Sequence, residues 1–445
     1  NGTNTYWTRT WYEGAPNLPT TARVVPGDYE VRYESTDYDS ENGHWPINDD
    51  ALLQTEQVSG AADQLTADVP VTAVTVDATL AGEPISSSNS ANGDRGRIKL
   101  FNAENGAETY WTATWYEGEP NLPTTARVVP GDYEVRYAST DYDSENGHWP
   151  INDNALLQTE QVSGATHQVS TDVPVTEVTV DATLDGQPIS SSNSANGDRG
   201  RIKLFNAENG AETYWTATWY EGEPNLPTTT RVVPGDYEIR YANTDYADSG
   251  HWPINDSALL TTATISGASQ QVAADVEVTD VTIDATLDGA SVSSTNSAND
   301  DRGKIYLFNV ENGAQTYWTY TWYEGASNVP NSTRVVPGDY SVQYESTDYD
   351  KENGHWPIND FTTLTTVTFS SSSRQITADV PVTEIDLGAT LAGQDVSSSN
   401  TSSADYGEIS IHDVAAGDVT YWTYVWADGG PNVPNYTRVI PHRYD

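Results

Sequence analysis

Thr109-Tyr110-Trp111-Thr112-Ala113-Thr114-Trp115-Tyr116 decides the fold, because a run so rich in threonine and aromatic residues favours an extended strand over a helix. Its opening letters, or a close variant, recur at Thr5, Thr213, Thr316 and Thr420, so the steps are 104, 104, 103 and 104 residues. A period that long is one small domain, and the chain is a row of near-copies. The copy Ile85 to Thr125 is repeated letter for letter as Ile189 to Thr229.

Working outward within one copy, Val74 to Leu80 alternates apolar and polar residues, the mark of a half-buried strand. Arg97 to Phe101 is the next strand, and Asn105-Gly106 is a turn signal. Glu117 to Thr125 carries Pro120 and Pro123 and reads as a loop. Arg127 to Val129, Pro130-Gly131 and Asp132 to Tyr137 read as strand, tight turn, strand, and strands around Ala155 to Val162 and His167 to Val173 close the copy. About seven strands without a helical period predict an antiparallel β-sandwich. The expected modules are 71–174, 175–277 and 278–381, flanked by partial modules at 1–70 and 382–445. Short junctions such as Val173-Pro174-Val175 predict semi-rigid coupling between copies.

Arg-Val-Val-Pro-Gly-Asp-Tyr-Glu-Val-Arg-Tyr, at Arg23 to Tyr33 and Arg127 to Tyr137, resembles the Pro-Gly-x-Tyr-x-Val hairpin of the transthyretin-like family. That family includes carboxypeptidase regulatory-like domains and Cna B-type modules of bacterial surface proteins. Related segments stand at Arg231 to Tyr241 and Arg334 to Tyr344. The resemblance implies an immunoglobulin-like or prealbumin-like sandwich serving as an extracellular spacer or adhesive module. It also implies a Lys–Asn crosslink with Lys99 and Lys203 at the reactive position, from which Tyr306 in the next copy departs.

Composition narrows the partners. Acidic residues outnumber basic ones 65 to 20, for a net charge of −45, and only four residues are lysine. Such a surface repels nucleic acid and anionic membrane and suits divalent cations. The absence of cysteine removes disulfides, thiol catalysis and cysteine-ligated metals. No stretch of about 18 apolar residues offers a membrane span.

Three features are candidate sites. The acidic loop Asp37, Asp39, Glu41 recurs as Asp141, Asp143, Glu145 and as Asp348, Asp350, Glu352. Alternating carboxylates before a glycine turn suit Ca²⁺, which takes oxygen ligands at about 2.3–2.6 Å. In the aromatic strand, strict alternation places Trp111 and Trp115 on one face, with Trp7, Trp11, Trp215, Trp219, Trp318 and Trp322 as their equivalents. These rings are expected to fill the core and pack modules together, or to stack on surface glycans. His44-Trp45-Pro46-Ile47-Asn48 recurs at His148, His251 and His355, one histidine per copy, which is a poor zinc set and reads as a loop pinned to the sandwich.

No nucleophile elbow, zinc-protease helix or phosphate loop is present, so the chain reads as non-enzymatic. The sequons at Asn1, Asn255, Asn331, Asn400 and Asn435 permit glycosylation. Both ends fall inside a copy, which suggests a section of a longer repetitive chain or a subunit completed by a neighbour's strands. The expectation is an extracellular tandem-repeat filament, stalk or adhesin shaft assembling with itself, with multivalent glycan binding or a role as an enzyme appendage as alternatives.

Overall fold

A computed structural model describes residues 4–12, 14–36, 43–59, 62–90, 95–140, 147–194, 199–244, 250–297, 302–347, 354–402, 404–414, 417 and 419–445. Among these residues every regular element is a strand. The chain forms two compact units, residues 1–176 with 231–233, and residues 177–230 with 234–445.

The first unit contains one complete sandwich. Its strands are β1 (Thr72–Leu80), β2 (Gly96–Asn102), β3 (Glu108–Ala113), β4 (Thr124–Val128), β5 (Gly131–Ser139), β6 (Ala155–Val162) and β7 (Thr166–Val173). One sheet runs β6-β5-β2-β3, with all neighbours antiparallel. The facing sheet runs β4-β1-β7. Val74, Val76, Ala78 and Leu80 of β1 point inward against Ile98, Leu100, Tyr133, Val135 and Tyr137, all buried. Period-2 patterning therefore does what it predicts: alternate positions of β1 and β2 are buried and half-buried.

Two readings are corrected here. Asp132 to Tyr137 does not form a hairpin with the strand before it. β4 pairs with β1 while β5 pairs with β2 and β6, so Val129-Pro130 is a corner at which the chain changes sheets. Proline, with no N–H to lose, fits such a corner. The sandwich is also not wholly antiparallel, because β7 lies parallel to β1, with Val169 opposite Val76 and Val173 opposite Leu80. β6 and β7, consecutive in the chain, therefore belong to different sheets.

The partial copy in the same unit contributes the hairpin Gly27–Tyr33 with Ala51–Val58. In the second unit, residues 278–381 repeat the arrangement: Thr279–Leu287 pairs antiparallel with Asn331–Val335 and parallel with Arg374–Val380. Gln315–Tyr320, Gly303–Asn309, Gly338–Ser346 and Thr362–Phe369 make its four-stranded sheet. The copy before it has the same sheet order. Residues 382–445 contribute Thr383–Leu387 paired with Asn435–Val439 and Glu408–His412 paired with Val419–Tyr424.

Candidate functional site at the module junctions

The repeated His-Trp-Pro-Ile-Asn segment is where one copy grips the next. Its tryptophan faces backward. Trp149 stacks on Tyr137 with centroids 5.8 Å apart, and its Nε1 donates to Ser90 Oγ at 3.0 Å. Tyr137 in turn donates to the Pro150 carbonyl at 2.6 Å. The indole and phenol thus hold the loop against its own sandwich, as the sequence suggests.

Its asparagine faces forward. Asn48 is fully buried, and Oδ1 accepts from the backbone N–H of Val129 in the following copy at 2.6 Å. Nδ2 donates to the Tyr133 hydroxyl at 2.7 Å, and that hydroxyl donates to the Val129 carbonyl at 2.6 Å. Ile47 N–H adds a bond to the Arg127 carbonyl at 2.9 Å, and the Arg127 guanidinium reaches back to the Gly43 carbonyl. Val129 packs with Tyr33 and Ala51 of the preceding copy. Asparagine is the residue this site needs, since one side chain supplies both the acceptor and the donor that the corner leaves open.

The same latch closes two junctions in the second unit. Asn255 accepts from Val336 N–H at 2.7 Å and donates to Tyr340 at 2.7 Å. Asn359 accepts from Ile440 N–H at 2.6 Å and donates to Tyr444 at 2.9 Å. Burial pushes the Tyr133 hydroxyl up to about 12, against the opposing pull of its Asn48 hydrogen bond, and raises Tyr340 for the same reason. The Pro-Gly-x-Tyr element singled out in the sequence is thus the receiving half of a joint. Asn255 is also the head of a sequon, and its burial and hydrogen bonds leave no room for a glycan.

A charged clasp lies beside the latch. Arg240 meets Glu311 of the next copy through two bonds, at 3.0 and 2.5 Å. Arg32 meets Glu104 at 2.8 Å. Asn312 Nδ2 donates to the carbonyls of Asp256 and Ser257 at 3.1 and 2.9 Å. At the equivalent sequence positions of the last copy pair stand Gln343 and Ala415.

The tryptophans separate into two sets, which corrects the expectation of a shared face. Trp115 and Trp219 are buried, whereas Trp111, Trp215 and Trp318 are 47, 47 and 43 % exposed. Thr114 causes the change of phase. It is fully buried, its N–H donates to the Gly96 carbonyl and its Oγ1 lies 3.1 Å from Gly96 N, so the strand stops there. Trp115-Tyr116 restarts as a strand paired with Glu119-Pro120, a segment the sequence reads as loop. Trp322 is half-buried, and Trp7 and Trp11 are exposed in the partial copy. Arg97 and Arg201 stack over Trp111 and Trp215 at 4.3 and 4.1 Å.

Lys99 and Lys203 pair with Glu108 and Glu212 at 3.0 and 2.9 Å, so neither is placed on an asparagine for a crosslink. Asp37, Asp39, Glu41, Asp141, Asp143, Glu145, Asp348, Asp350 and Glu352 lie outside the described residues. Among the described residues no cluster of three or more His, Asp or Glu is placed to hold a metal.

Fold and joint together define a class: an all-β protein of tandem immunoglobulin-like sandwich modules. No family model matches the sequence, and no curated protein matches it. Among solved structures it is similar to the Bacillus anthracis TIE protein, at 11 % identity over 75 % of this chain and 55 % of that one, with a TM-score of 0.18. The chain thus spans about half the length of that protein. It is similar also to the pilus adhesin SpaC of Lactobacillus rhamnosus GG in its open conformation (10 % identity, 71 and 44 % of the two chains, TM-score 0.17). A C-terminally truncated tip fimbrial protein of Porphyromonas gingivalis gives 8 % identity, 39 and 79 % coverage and a TM-score of 0.18.

Proposed function

We propose that this chain is an extracellular structural protein, a tandem-repeat spacer of the stalk, filament or adhesin-shaft kind, with no catalytic role. The observation that carries this reading is the buried Asn latch, repeated at Asn48, Asn255 and Asn359. A loosely strung array has no use for a fully buried side chain bridging each copy to the next. The covalent link beside it is equally short: Val276 and Thr279, in consecutive sandwiches, are separated by two residues. Two attachments at one joint remove most of the freedom a single linker leaves. Calcium at the acidic loops belongs to this reading as a stiffening ligand, and assembly with further copies of the chain as its mode of use.

The test replaces Asn48, Asn255 and Asn359 together by Ala in the full chain. Each replacement orphans a buried N–H, at a cost of about 1–3 kcal/mol. Small-angle scattering is expected to show a broader distance distribution while the far-ultraviolet spectrum keeps its strand content. An unchanged scattering profile would remove the basis for a stiff spacer.

A further inference from the structure

The copy at 278–381 departs from the two preceding full copies on one sheet face, and three of its changes add a ring. Tyr306 stands where the preceding copies have Lys99 and Lys203, Tyr320 where they have Ala113 and Ala217, and Phe361 where they have Asn154 and Ser257. All three put a ring in place of a small or polar group, and Trp318 links the Tyr306–Phe361 pair to Tyr320. Phe361 lies 6.0 Å from Phe308 and 5.2 Å from Tyr306, and Tyr306 lies 6.5 Å from Trp318. Trp318 continues to Tyr320 at 5.1 Å, and Tyr320 to Tyr323 at 5.3 Å. Six rings form one continuous row.

The row rises from a buried Tyr306 to the surface. Trp318, Tyr323 and Phe361 are 43, 45 and 44 % exposed. Phe361 also has a backbone φ of +43°, a left-handed position that the siblings fill with Asn154 and Ser257. A bulky ring there is unfavourable, and it is only half covered in return. Strain retained for a half-exposed ring points to use rather than packing alone. Polar groups hold the buried inner end of the row: the Tyr306 hydroxyl donates to Glu345, and Lys304 Nζ lies 3.0 Å from the same carboxylate. Arg302 sits 4.9 Å from the Tyr320 centroid.

We propose that this row is a binding platform for an uncharged polysaccharide. Ring faces carry negative potential and attract the electropositive C–H faces of pyranose rings, while hydroxyl, indole and charged edges bond sugar hydroxyls. Charge selects this occupant. A chain of net charge −45 repels anionic polymers, whereas a neutral glycan meets no such barrier. Lys304 and Glu345 neutralise each other beside Tyr306.

The experiment is affinity electrophoresis of the full chain in gels containing hydroxyethylcellulose, galactomannan or amylose, with sedimentation velocity alongside. The triple variant Tyr306→Lys, Tyr320→Ala, Phe361→Ser restores the residues of a sibling copy, whose sandwich already accommodates them. At least one polymer is expected to retard the parent chain, with affinity falling about tenfold or more in the triple variant and in Trp318→Ala, as for loss of a binding hot spot. Trp215→Ala, in the copy without the row, leaves binding unchanged. Retardation by none of the three polymers, or equal retardation of parent and triple variant, overturns the proposal. So does self-association of the parent that the triple variant abolishes, which would make the occupant another copy.

Discussion

Asn48 and Tyr133 show how much one polar pair decides. An apolar side chain at position 48 would leave Val129 N–H without a partner in the interior, where an orphaned donor is costly. The tyrosine gives the joint a pH limit. Its folded value of about 12 exceeds the ordinary 10, so above pH 10 the unfolded chain releases a proton that the folded joint keeps. Stability from this group is complete below pH 10 and falls as pH rises toward about 12. Denaturant midpoints at pH 8 and pH 11.5 should show a steeper alkaline loss in the parent than in Tyr133→Phe; equal slopes would detach the tyrosine from the effect. The sequence displayed both residues as repeated letters but not their meeting, because they stand 85 positions apart in different copies.

Strand positions were legible wherever alternation is strict, as in Val74 to Leu80, because burial on one side leaves its period in the letters. Pairing was less legible. Nothing in Arg127 to Tyr137 marks the change of sheet at Pro130, since a hairpin and a corner share the same turn chemistry. The faces of Trp111 and Trp115 were misjudged because Thr114, whose side chain plugs the end of β2, is indistinguishable in sequence from any strand threonine. Glycine carries a clearer message in the structure. A Cβ on Gly303 would stand 2.1 Å from Tyr344 Cε2, and that ring stacks on Trp356 at 5.9 Å. Gly303→Ala therefore forces the ring off its partner. A loss of about 1–3 kcal/mol is expected, with a shifted tryptophan emission; a variant as stable as the parent would show that the ring has room to move.

Across the whole molecule, 65 acidic residues face 20 basic ones, and several of the latter are committed to internal tasks: Arg127 to the latch, Arg240 to the clasp, Lys99 to Glu108. The surplus negative charge pushes the folded chain apart, so screening should stabilise it. Melting temperature is expected to rise with NaCl. At matched ionic strength, CaCl₂ should raise it further if the loops at Asp37, Asp141 and Asp348 hold the ion; identical melts in the two salts would remove calcium from the account. The charge was readable from composition alone, whereas the three rings added to one copy gained meaning only when their contacts were seen.

The parallel pairing of β7 with β1 has a mechanical consequence. The chain enters the sandwich at the start of β1 and leaves it at the end of β7, and the two lie side by side from Ala73 opposite Thr166 to Leu80 opposite Val173. A pull on the two ends therefore drags one strand lengthwise past the other. All the hydrogen bonds of that ladder share the load and must fail together, whereas strands drawn apart from one end lose their bonds singly. The copy at 278–381 carries the same geometry between Thr279–Leu287 and Arg374–Val380. Each sandwich is thus a shear-loaded link, strongest when its two ends are drawn apart along the strand axis.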